Sequence, residues 1–410
     1  MTPTNPPTNP LRGALRTLSV LRALSILRAL PALLAATLLA VATPLALAQQ
    51  VPVPTIAAKS WLLLDVTSGQ VIAAHEPDMR IEPASLTKLM TAHLAFNALG
   101  EKRITLDMRP PVSTAAWKAI GSRMFVDPTK PATVEELLNG VIVQSGNDAS
   151  IILAEAIAGT EQAFVERMNH EARRLGMSST QFRNSTGLPD PEHYTTARDL
   201  ALLATQVVTA HPEFYPLYSK KEYTYNNIRQ SNRNRLLFVD PSVDGLKTGH
   251  TEAAGYCLIA TARREQPGAG FERRLLSVVL GTHSESVRAI ESQKLLNWGF
   301  QNFDAVRVQV AGRPSGDYPV WKGAADTVAG GVDQDLVVTV PRGQADRVVG
   351  EVERVQPLVA PVGAGERIGT LRVRLDGQVI AERPLIALQA VEQAGWLGRA
   401  WDSLMMMFAR

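Results

Sequence analysis

The chain of 410 residues contains a single cysteine, Cys257, so no disulfide bond can form within it. Cys257 lies in the apolar run YCLIAT, which predicts a small buried residue rather than a reactive thiolate. The seven histidines include no His-Glu-x-x-His pattern, and no Gly-x-Ser-x-Gly elbow occurs. These absences argue against a zinc peptidase and against an α/β-hydrolase triad.

A net positive charge is also lacking once the first residues are set aside. The formal net charge is +3, and residues 1–48 contain four arginines (Arg12, Arg16, Arg22, Arg28) with no acidic residue. Subtracting those four charges leaves −1 for the rest of the chain. The main body is therefore not basic, and nucleic acid is not an expected partner.

Residues 1–48 have the order of segments that is typical of an export signal. The arginine-bearing region precedes the apolar stretch 29–48, which ends in Ala46-Leu47-Ala48. An uncleaved membrane anchor is the alternative, because this stretch approaches the roughly 20 residues that span a bilayer. Pro44 and the Ala-x-Ala ending favour cleavage, so we predict a signal peptide over 1–48 and an exported protein.

Period and turn residues predict an α+β domain over 52–303, with an antiparallel sheet and helices packed around it. Residues 60–77 indicate a strand hairpin, and three β-type runs follow from about Val243. Helices are predicted over 84–99, 134–143, 149–158, 161–175, 196–210 and 287–300. In the last of these, the apolar side is assigned to Ile290, Leu295, Leu296 and Trp298.

The composition shifts after Phe303. Residues 306–388 alternate apolar and polar side chains, and Asp376-Gly377 marks a tight hairpin, so we predict a small β-rich domain. This segment has no histidine and no clustered carboxylates, and we assign it no chemistry.

Residues 390–410 predict an amphipathic helix. At helical period Leu397, Trp401, Leu404 and Met405 share one side, whereas Arg399 and Ser403 fall on the other. Such a helix either docks on the protein's own surface or lies in a membrane interface. Its tryptophans and phenylalanine favour the membrane.

The segment PASLTK, residues 83–88, places one lysine in an otherwise apolar helix. Ser85 and Lys88 are three residues apart and therefore share a helix face, which continues into Ala92 and Ala95. A lysine without hydration has a lowered pKa, and a neutral amine can take the proton of a serine hydroxyl. On these residues alone, helix capping by the serine with a snorkelling lysine remains an equal alternative.

Two later segments supply a second and a third motif. Ser145-Gly146-Asn147 lies in a sharp break between two predicted helices, and Lys247-Thr248-Gly249 lies on a strand that leads into a turn. Each alone is typical of a helix cap or a strand end. In the order Ser-x-x-Lys, Ser-x-Asn, Lys-Thr-Gly they match the set found in penicillin-binding proteins and class A β-lactamases.

With glycine at the centre of Ser-Gly-Asn and the contexts PASLTK and QSGNDA, the chain resembles the low-molecular-mass D-alanyl-D-alanine carboxypeptidases. The resemblance extends through STGLPDPEHYTTARDLALL, IRQSNRNRLL and ESQKLLNWGF to the β-rich domain and the amphipathic C-terminus. It implies a β-lactamase/transpeptidase-like fold and a penicillin-sensitive enzyme that trims terminal D-alanine from peptidoglycan pentapeptides. No cofactor and no metal are implied.

The resemblance also implies three catalytic residues. Ser85 would attack the carbonyl between the two D-alanines and form an acyl-enzyme, and Lys88 would be the base that deprotonates it. Ser145 would relay a proton to the leaving nitrogen. The backbone N–H groups of Ser85 and His250 would form the oxyanion hole.

The implied substrate-binding residues surround these three. Asn147 would bind the substrate backbone, Lys247 would supply positive potential, and Thr248, followed by Gly249, would bind the terminal carboxylate. His250 follows them, where its side chain could contact the substrate. Arg288 matches a family arginine near the carboxylate, although a surface arginine at a helix start is an equal alternative.

Other activities remain alternatives on the same residues. Glu192 is not followed by asparagine four residues later, which disfavours rapid β-lactam hydrolysis. A DD-endopeptidase, or a non-enzymatic penicillin sensor, would use the same fold. Peptidoglycan stems, β-lactams and the outer face of the inner membrane are the implied partners, in the periplasm.

Overall fold

The computed structural model describes residues 51–408, so the predicted signal peptide over 1–48 lies outside the described residues. The first domain is built on a five-stranded antiparallel sheet in the order β2-β1-β7-β6-β5. Its strands are β1 (Ser60–Asp65), β2 (Gln70–His75), β5 (Val243–Thr251), β6 (Gly255–Glu265) and β7 (Glu272–Thr282). Strand β5, which carries Lys-Thr-Gly, is therefore at one edge of the sheet.

Eight helices accompany this sheet, together with a small hairpin of β3 (Glu222–Tyr225) and β4 (Ile228–Ser231). They are α1 (Lys88–Gly100), α2 (Thr114–Trp117), α3 (Val134–Asn139), α4 (Asn147–Ala158), α5 (Glu161–Arg174), α6 (Ala197–Ala210), α7 (Leu236–Val239) and α8 (Glu285–Asn302). Helix α1 is apolar on nearly every side and buries ten of its residues. It is thus a central core helix, which explains why its sequence is so poor in charge.

The α+β class and the helix positions predicted from the sequence are confirmed, with two differences. Residues 84–87 form a 3₁₀ turn before α1, and the predicted helix over 134–143 ends at Asn139 in a π-helical turn, Gly140–Gln144. The assignment of Ile290 to the apolar side of α8 was wrong, because its side chain is 57% exposed. Helix α8 approaches the sheet at Gly299, where an added Cβ would lie 2.7 Å from Leu63.

The chain after Phe303 forms a second core from short antiparallel strands. One sheet has the order β12-β13-β14-β10-β9, and β8 pairs with β11. The strands are β8 (Phe303–Gln309), β9 (Gly316–Pro319), β10 (Thr327–Gly331), β11 (Leu336–Pro341), β12 (Val348–Arg354), β13 (Arg367–Leu375) and β14 (Gln378–Ala387). Residues 376 and 377 make the β13–β14 turn, with φ of 52° and 82°.

A buried ion pair connects the two parts. Arg273 of β7 donates to Asp65 at 2.6 Å and to the carbonyl of Phe303 at 2.7 Å, where β8 begins. Thr339 of β11 donates to the same Asp65 carboxylate at 2.7 Å. Because Asp65 and Arg273 are almost completely buried, loss of either partner would leave an uncompensated charge.

The last described element is helix α9 (Trp396–Phe408). Among residues 51–408, no helix combines the length and the apolar character needed to cross a bilayer.

Candidate active site

Ser85 lies at a strained turn immediately before α1. The turn Ala84–Thr87 begins with Ala84 at φ 48°, a left-handed conformation that is rare for alanine. Gly187 packs directly against it: a Cβ on Gly187 would lie 1.7 Å from the Ala84 carbonyl oxygen. Only glycine fits at 187, and this contact holds the turn so that Ser85 stays half-exposed above a buried helix.

Lys88 is the first residue of α1 and is only 1% exposed. Its Nζ donates to Ser85 Oγ at 3.2 Å, to Asn147 Oδ1 at 2.7 Å and to the Thr186 carbonyl at 2.5 Å. Burial, aided by the charge of Arg233, lowers the pKa of Lys88 to about 7. The low pKa expected from the sequence is therefore confirmed, and helix capping is excluded because Ser85 caps no helix here.

Ser145 is placed by the π-helical turn that follows α3. It ends this turn with φ 59°, and its side chain is almost fully buried. Lys247 Nζ donates to Ser145 Oγ at 3.0 Å and to the Thr248 carbonyl at 3.1 Å. The second motif is thus joined to the third by a direct hydrogen bond.

Asn147 is the first residue of α4 and is bonded on both sides of its amide. Its Oδ1 accepts from Lys88, whereas its Nδ2 donates to the Ile120 carbonyl at 2.6 Å. The backbone N–H of Asn147 donates to the Ser122 carbonyl at 2.7 Å. Asn147 therefore links the Lys88 amine to the loop that contains Ser122.

The adjacent Asp148 fixes that loop. Its carboxylate accepts the backbone N–H groups of Met124 at 2.9 Å, Phe125 at 2.8 Å and Val126 at 3.1 Å. Asp148 is only 2% exposed, so these charge-assisted bonds are shielded from water. Asp148 was not among the residues predicted for the site.

The third motif lies against the turn that carries Ser85, and the lack of a side chain at Gly249 leaves room for this close approach. An added Cβ at 249 would lie 3.2 Å from Leu86 and from the Pro83 carbonyl oxygen. Gly249 thereby brings Thr248 and His250 beside Ser85. The His250 ring is exposed and lies over Tyr256, with ring centroids 4.0 Å apart.

These elements enclose a cavity of about 380 Å³. Its lining includes six residues that the sequence analysis singled out, namely Ser85, Ser145, Thr248, Gly249, His250 and Arg288. The other three, Lys88, Asn147 and Lys247, are buried behind it and bond to the lining serines or to one another. All nine predicted site residues therefore come together.

Arg288 is not a surface residue at the start of α8, because only 4% of it is exposed. Its guanidinium donates to the Gly249 carbonyl at 3.3 Å and lies 5.6 Å from the ring centroid of Tyr256. Glu285, one turn earlier, approaches it at 3.4 Å. The alternative of a surface arginine was therefore wrong.

The basic groups at the cavity repel one another when they are protonated. Burial lowers the pKa of Lys247 well below its ordinary value, and the charge of Lys88 lowers it further. Arg233 and Arg288 act in the same direction. A ligand with a carboxylate would counter this repulsion, so the site is suited to an anionic group.

Arg233, Ser122 and Tyr256 also line the cavity, and sequence reasoning did not select them. Arg233 lies in IRQSNRNRLL, a segment that belongs to the family resemblance but for which no role was predicted. Its carbonyl accepts from Arg288 at 3.5 Å, and its charge lowers the pKa of Lys88. Only the fold brings this arginine into the same cavity lining as Ser85.

Comparison with known proteins leads to the family that the three motifs resemble. Residues 47–284 match the family described as D-alanyl-D-alanine carboxypeptidase, and residues 303–393 match the C-terminal domain of penicillin-binding protein 5. The chain is 40% identical over 369 residues to the D-alanyl-D-alanine carboxypeptidase DacC of Escherichia coli, covering 88% of this chain and 90% of that protein. DacA of the same organism is 37% identical over 365 residues, covering 87% and 89%.

A solved structure extends the likeness to three dimensions. The crystal structure of penicillin binding protein 5 from Haemophilus influenzae is 38% identical, with a TM-score of 0.79. The match covers 84% of this chain and all of that one. The chain belongs to the D-alanyl-D-alanine carboxypeptidase family.

Proposed function

We propose that this protein is a serine carboxypeptidase that removes the terminal D-alanine from peptidoglycan pentapeptide stems through an acyl-enzyme on Ser85. The observation that carries the proposal is the hydrogen bond of 3.2 Å from the buried Lys88 amine to Ser85 Oγ. β-Lactams acylate the same serine in this proposal, because they present a carbonyl and a carboxylate to the same groups.

Lys88 acts as the general base. With its pKa lowered to about 7, about half of the lysine is neutral at pH 7, whereas at the ordinary pKa of 10.5 the neutral fraction would be roughly one in three thousand. The neutral amine takes the Ser85 proton as the Oγ–carbonyl bond forms. The bonds from Asn147 and Thr186 hold Nζ in place for this step.

The leaving group departs on the Ser145 side of the cavity. When the tetrahedral intermediate collapses, the carbon–nitrogen bond breaks and D-alanine leaves with a proton that Ser145 relays. Lys247 donates to Ser145 at 3.0 Å and so orients its hydroxyl. Water then attacks the Ser85 ester, which releases the shortened stem and returns the proton to Ser85.

The terminal carboxylate binds at the positive end of the cavity. Thr248 supplies a hydroxyl, while Lys247, Arg233 and Arg288 supply charge. The backbone N–H groups of Ser85 and His250 serve as the oxyanion hole, and Asn147 binds the substrate backbone. Recognition of a free carboxylate favours a carboxypeptidase over an endopeptidase.

For location, we propose a periplasmic protein held at the outer face of the inner membrane by α9. Support comes from the export-type sequence over 1–48 and from the exposure of the helix's apolar residues, with Trp396 at 71% and Trp401 at 64%. Truncation after Val391 is expected to release active protein into the soluble fraction. Membrane retention of the truncated chain would instead assign the anchor to another segment.

The enzymatic proposal is tested with a peptide ending in D-Ala-D-Ala. Wild-type protein should release D-alanine, Ser85→Ala should release none, and mass spectrometry after penicillin treatment should locate the adduct on Ser85. The matched control is Ser284→Ala, which changes a serine outside the cavity lining. Equal D-alanine release by wild type and Ser85→Ala, or an adduct elsewhere, would contradict the assignment.

The same assays separate the alternatives. Rapid turnover of penicillin would indicate a β-lactamase, and cleavage of cross-linked but not of terminal D-alanine would indicate an endopeptidase. A stable penicillin adduct without turnover of either peptide would indicate a sensor.

A further inference from the structure

Helix α9 contacts the β-rich domain through its polar side. The carboxylate of Asp402 accepts the backbone N–H of Lys322 at 2.5 Å, and the Lys322 carbonyl accepts the N–H of Ala394 at 2.8 Å, just before the helix. Asp402 and Met406, one turn apart, are the only half-buried residues between 396 and 407. One acidic side chain thus fixes which way the helix faces.

This docking turns the apolar side of the helix outward. Leu397 is 66% exposed, Trp401 64% and Leu404 48%, and these residues follow one another at helical spacing. The two possibilities left open by the sequence were docking on the protein or burial in a membrane interface. The helix docks on the protein through its polar side, and its apolar surface therefore stays uncovered.

A cavity of about 830 Å³ lies where the helix meets the β-rich domain. Met406 and Met407 line it from the helix, and an apolar wall comes from the β-rich domain, with Tyr318, Trp321, Val355, Leu358 and Ile368. Met407 is 76% exposed and Val355 is 52% exposed, so the cavity opens to solvent beside the outward face.

Two cations also line this cavity. Lys322 is half-buried and Arg354 is exposed, and neither forms an ion pair with another residue of the described range 51–408. An apolar cavity with two unpaired cations is complementary to a molecule that has an apolar chain and an anionic head. Its place beside an outward tryptophan-bearing helix points to the lipid of a bilayer surface.

We infer that the cavity between α9 and the β-rich domain binds one acyl chain of an anionic phospholipid, with Lys322 and Arg354 on its phosphate. The inference rests on the proposed membrane location and deepens it by naming the lipid class and a site formed by two elements. The helix face lies among the lipids, while the cavity takes a single lipid and sets the orientation of the β-rich domain on the membrane.

The direct test is cross-linking of the purified full chain to vesicles. They contain phosphatidylcholine and a phosphatidylglycerol with a photoreactive group at the end of one acyl chain, and mass spectrometry locates the adducts. Adducts on Leu358 and Ile368 of the β-rich domain are expected in addition to those on the helix. Adducts confined to the outward helix face, at Leu397, Trp401 and Leu404, would overturn the inference.

A charge variant gives a second readout. Lys322→Gln with Arg354→Gln should weaken co-sedimentation with phosphatidylglycerol vesicles several-fold and leave binding to phosphatidylcholine vesicles unchanged. Arg383→Gln removes another exposed arginine of the same domain and should bind as wild type. An equal loss in the control, or no loss in the double variant, would contradict a specific site.

A measurement of peptidase activity distinguishes failure of the lipid-site proposal from failure of the proposed enzymatic function. All three substitutions lie outside the active-site cavity, so D-alanine release from a soluble peptide should stay at the wild-type rate. An inactive wild-type protein that still cross-links through Leu358 would refute the proposed activity and leave the lipid site standing.

Discussion

Replacing Lys88 with methionine should change how the free energy of unfolding depends on pH. The size of this change follows from the low pKa of Lys88. The folded pKa of Lys88 is about 7, below its ordinary value of 10.5. Between these two values the unfolded chain therefore binds more protons than the folded chain. Stability should consequently rise with pH across this window and lose the gain as pH falls towards 7.

The expected size follows from proton linkage. From pH 7 to pH 9 the contribution of Lys88 to the free energy of unfolding grows by about 2 kcal/mol, because the unfolded lysine stays protonated while the folded one loses its proton. Lys88→Met removes this gain. The variant also leaves Asn147 Oδ1 and the Thr186 carbonyl without a donor, at about 1–3 kcal/mol each, but that cost does not vary with pH.

The assay is urea unfolding of wild type and Lys88→Met at pH 7 and at pH 9. For each protein the free energy of unfolding at pH 7 is subtracted from that at pH 9, and the two gains are compared. Lys130→Met, which removes an exposed lysine, is the matched control and should retain the wild-type gain. If Lys88→Met gains as much as wild type, the buried lysine is not neutral and cannot be the base. The variant should also fail to form a penicillin adduct.

Three further predictions concern the surroundings of the site. Gly187→Ala should lower the rate of penicillin acylation at least tenfold, since its Cβ would lie 1.7 Å from a carbonyl oxygen beside the nucleophile, whereas Gly176→Ala has a similar φ but open space and should acylate normally. Asp148→Asn should slow acylation and lower the melting temperature, because the backbone N–H groups of residues 124–126 lose a charged acceptor; an unchanged rate would contradict its positioning role. Burial lowers the pKa of His211 to about 4, so the folded protein should lose stability as pH falls from about 6.5 to 4, and His211→Gln should lose less in urea unfolding over that range.

Local patterns predicted the parts of the site that are close in sequence. Ser85 and Lys88 are separated by three residues, so spacing and an apolar face predicted their contact and the low pKa of the lysine, with helix capping as an equal alternative that the structure excludes. The sheet was predicted for the same reason, since alternation marks each strand independently. Joining the three motifs needed the family resemblance, because no local rule brings Lys247 to Ser145.

The residues that were missed depend on distant partners. Gly187 is required by the backbone of Ala84, and the charge of Arg233 acts on Lys88, yet nothing in the sequence beside Gly187 or Arg233 indicates either contact. The assignment of Ile290 to the apolar side was wrong for a related reason. Helix α8 approaches the sheet at Gly299, and Ile290 lies on the opposite side, so the small residue and not the large one marks the packed face.

The buried basic groups of the active site lower the stability of the folded protein when no ligand is bound. Lys88 and Lys247 are both buried, and burial together with the charge of Arg233 lowers the pKa of each, so protonating either amine in the empty site meets desolvation and the repulsion of the neighbouring cations. The repulsion decreases when an anion enters, which means that part of the binding energy of a terminal carboxylate is relief of a cost already present. Burial is the main cause of the low pKa of Lys88 and the charge of Arg233 adds to it, and in the proposed mechanism this low pKa lets Lys88 act as the base. In the proposed mechanism the charge of Arg233 therefore contributes both to carboxylate recognition and to nucleophile activation, and a substitution that removes this charge should weaken both.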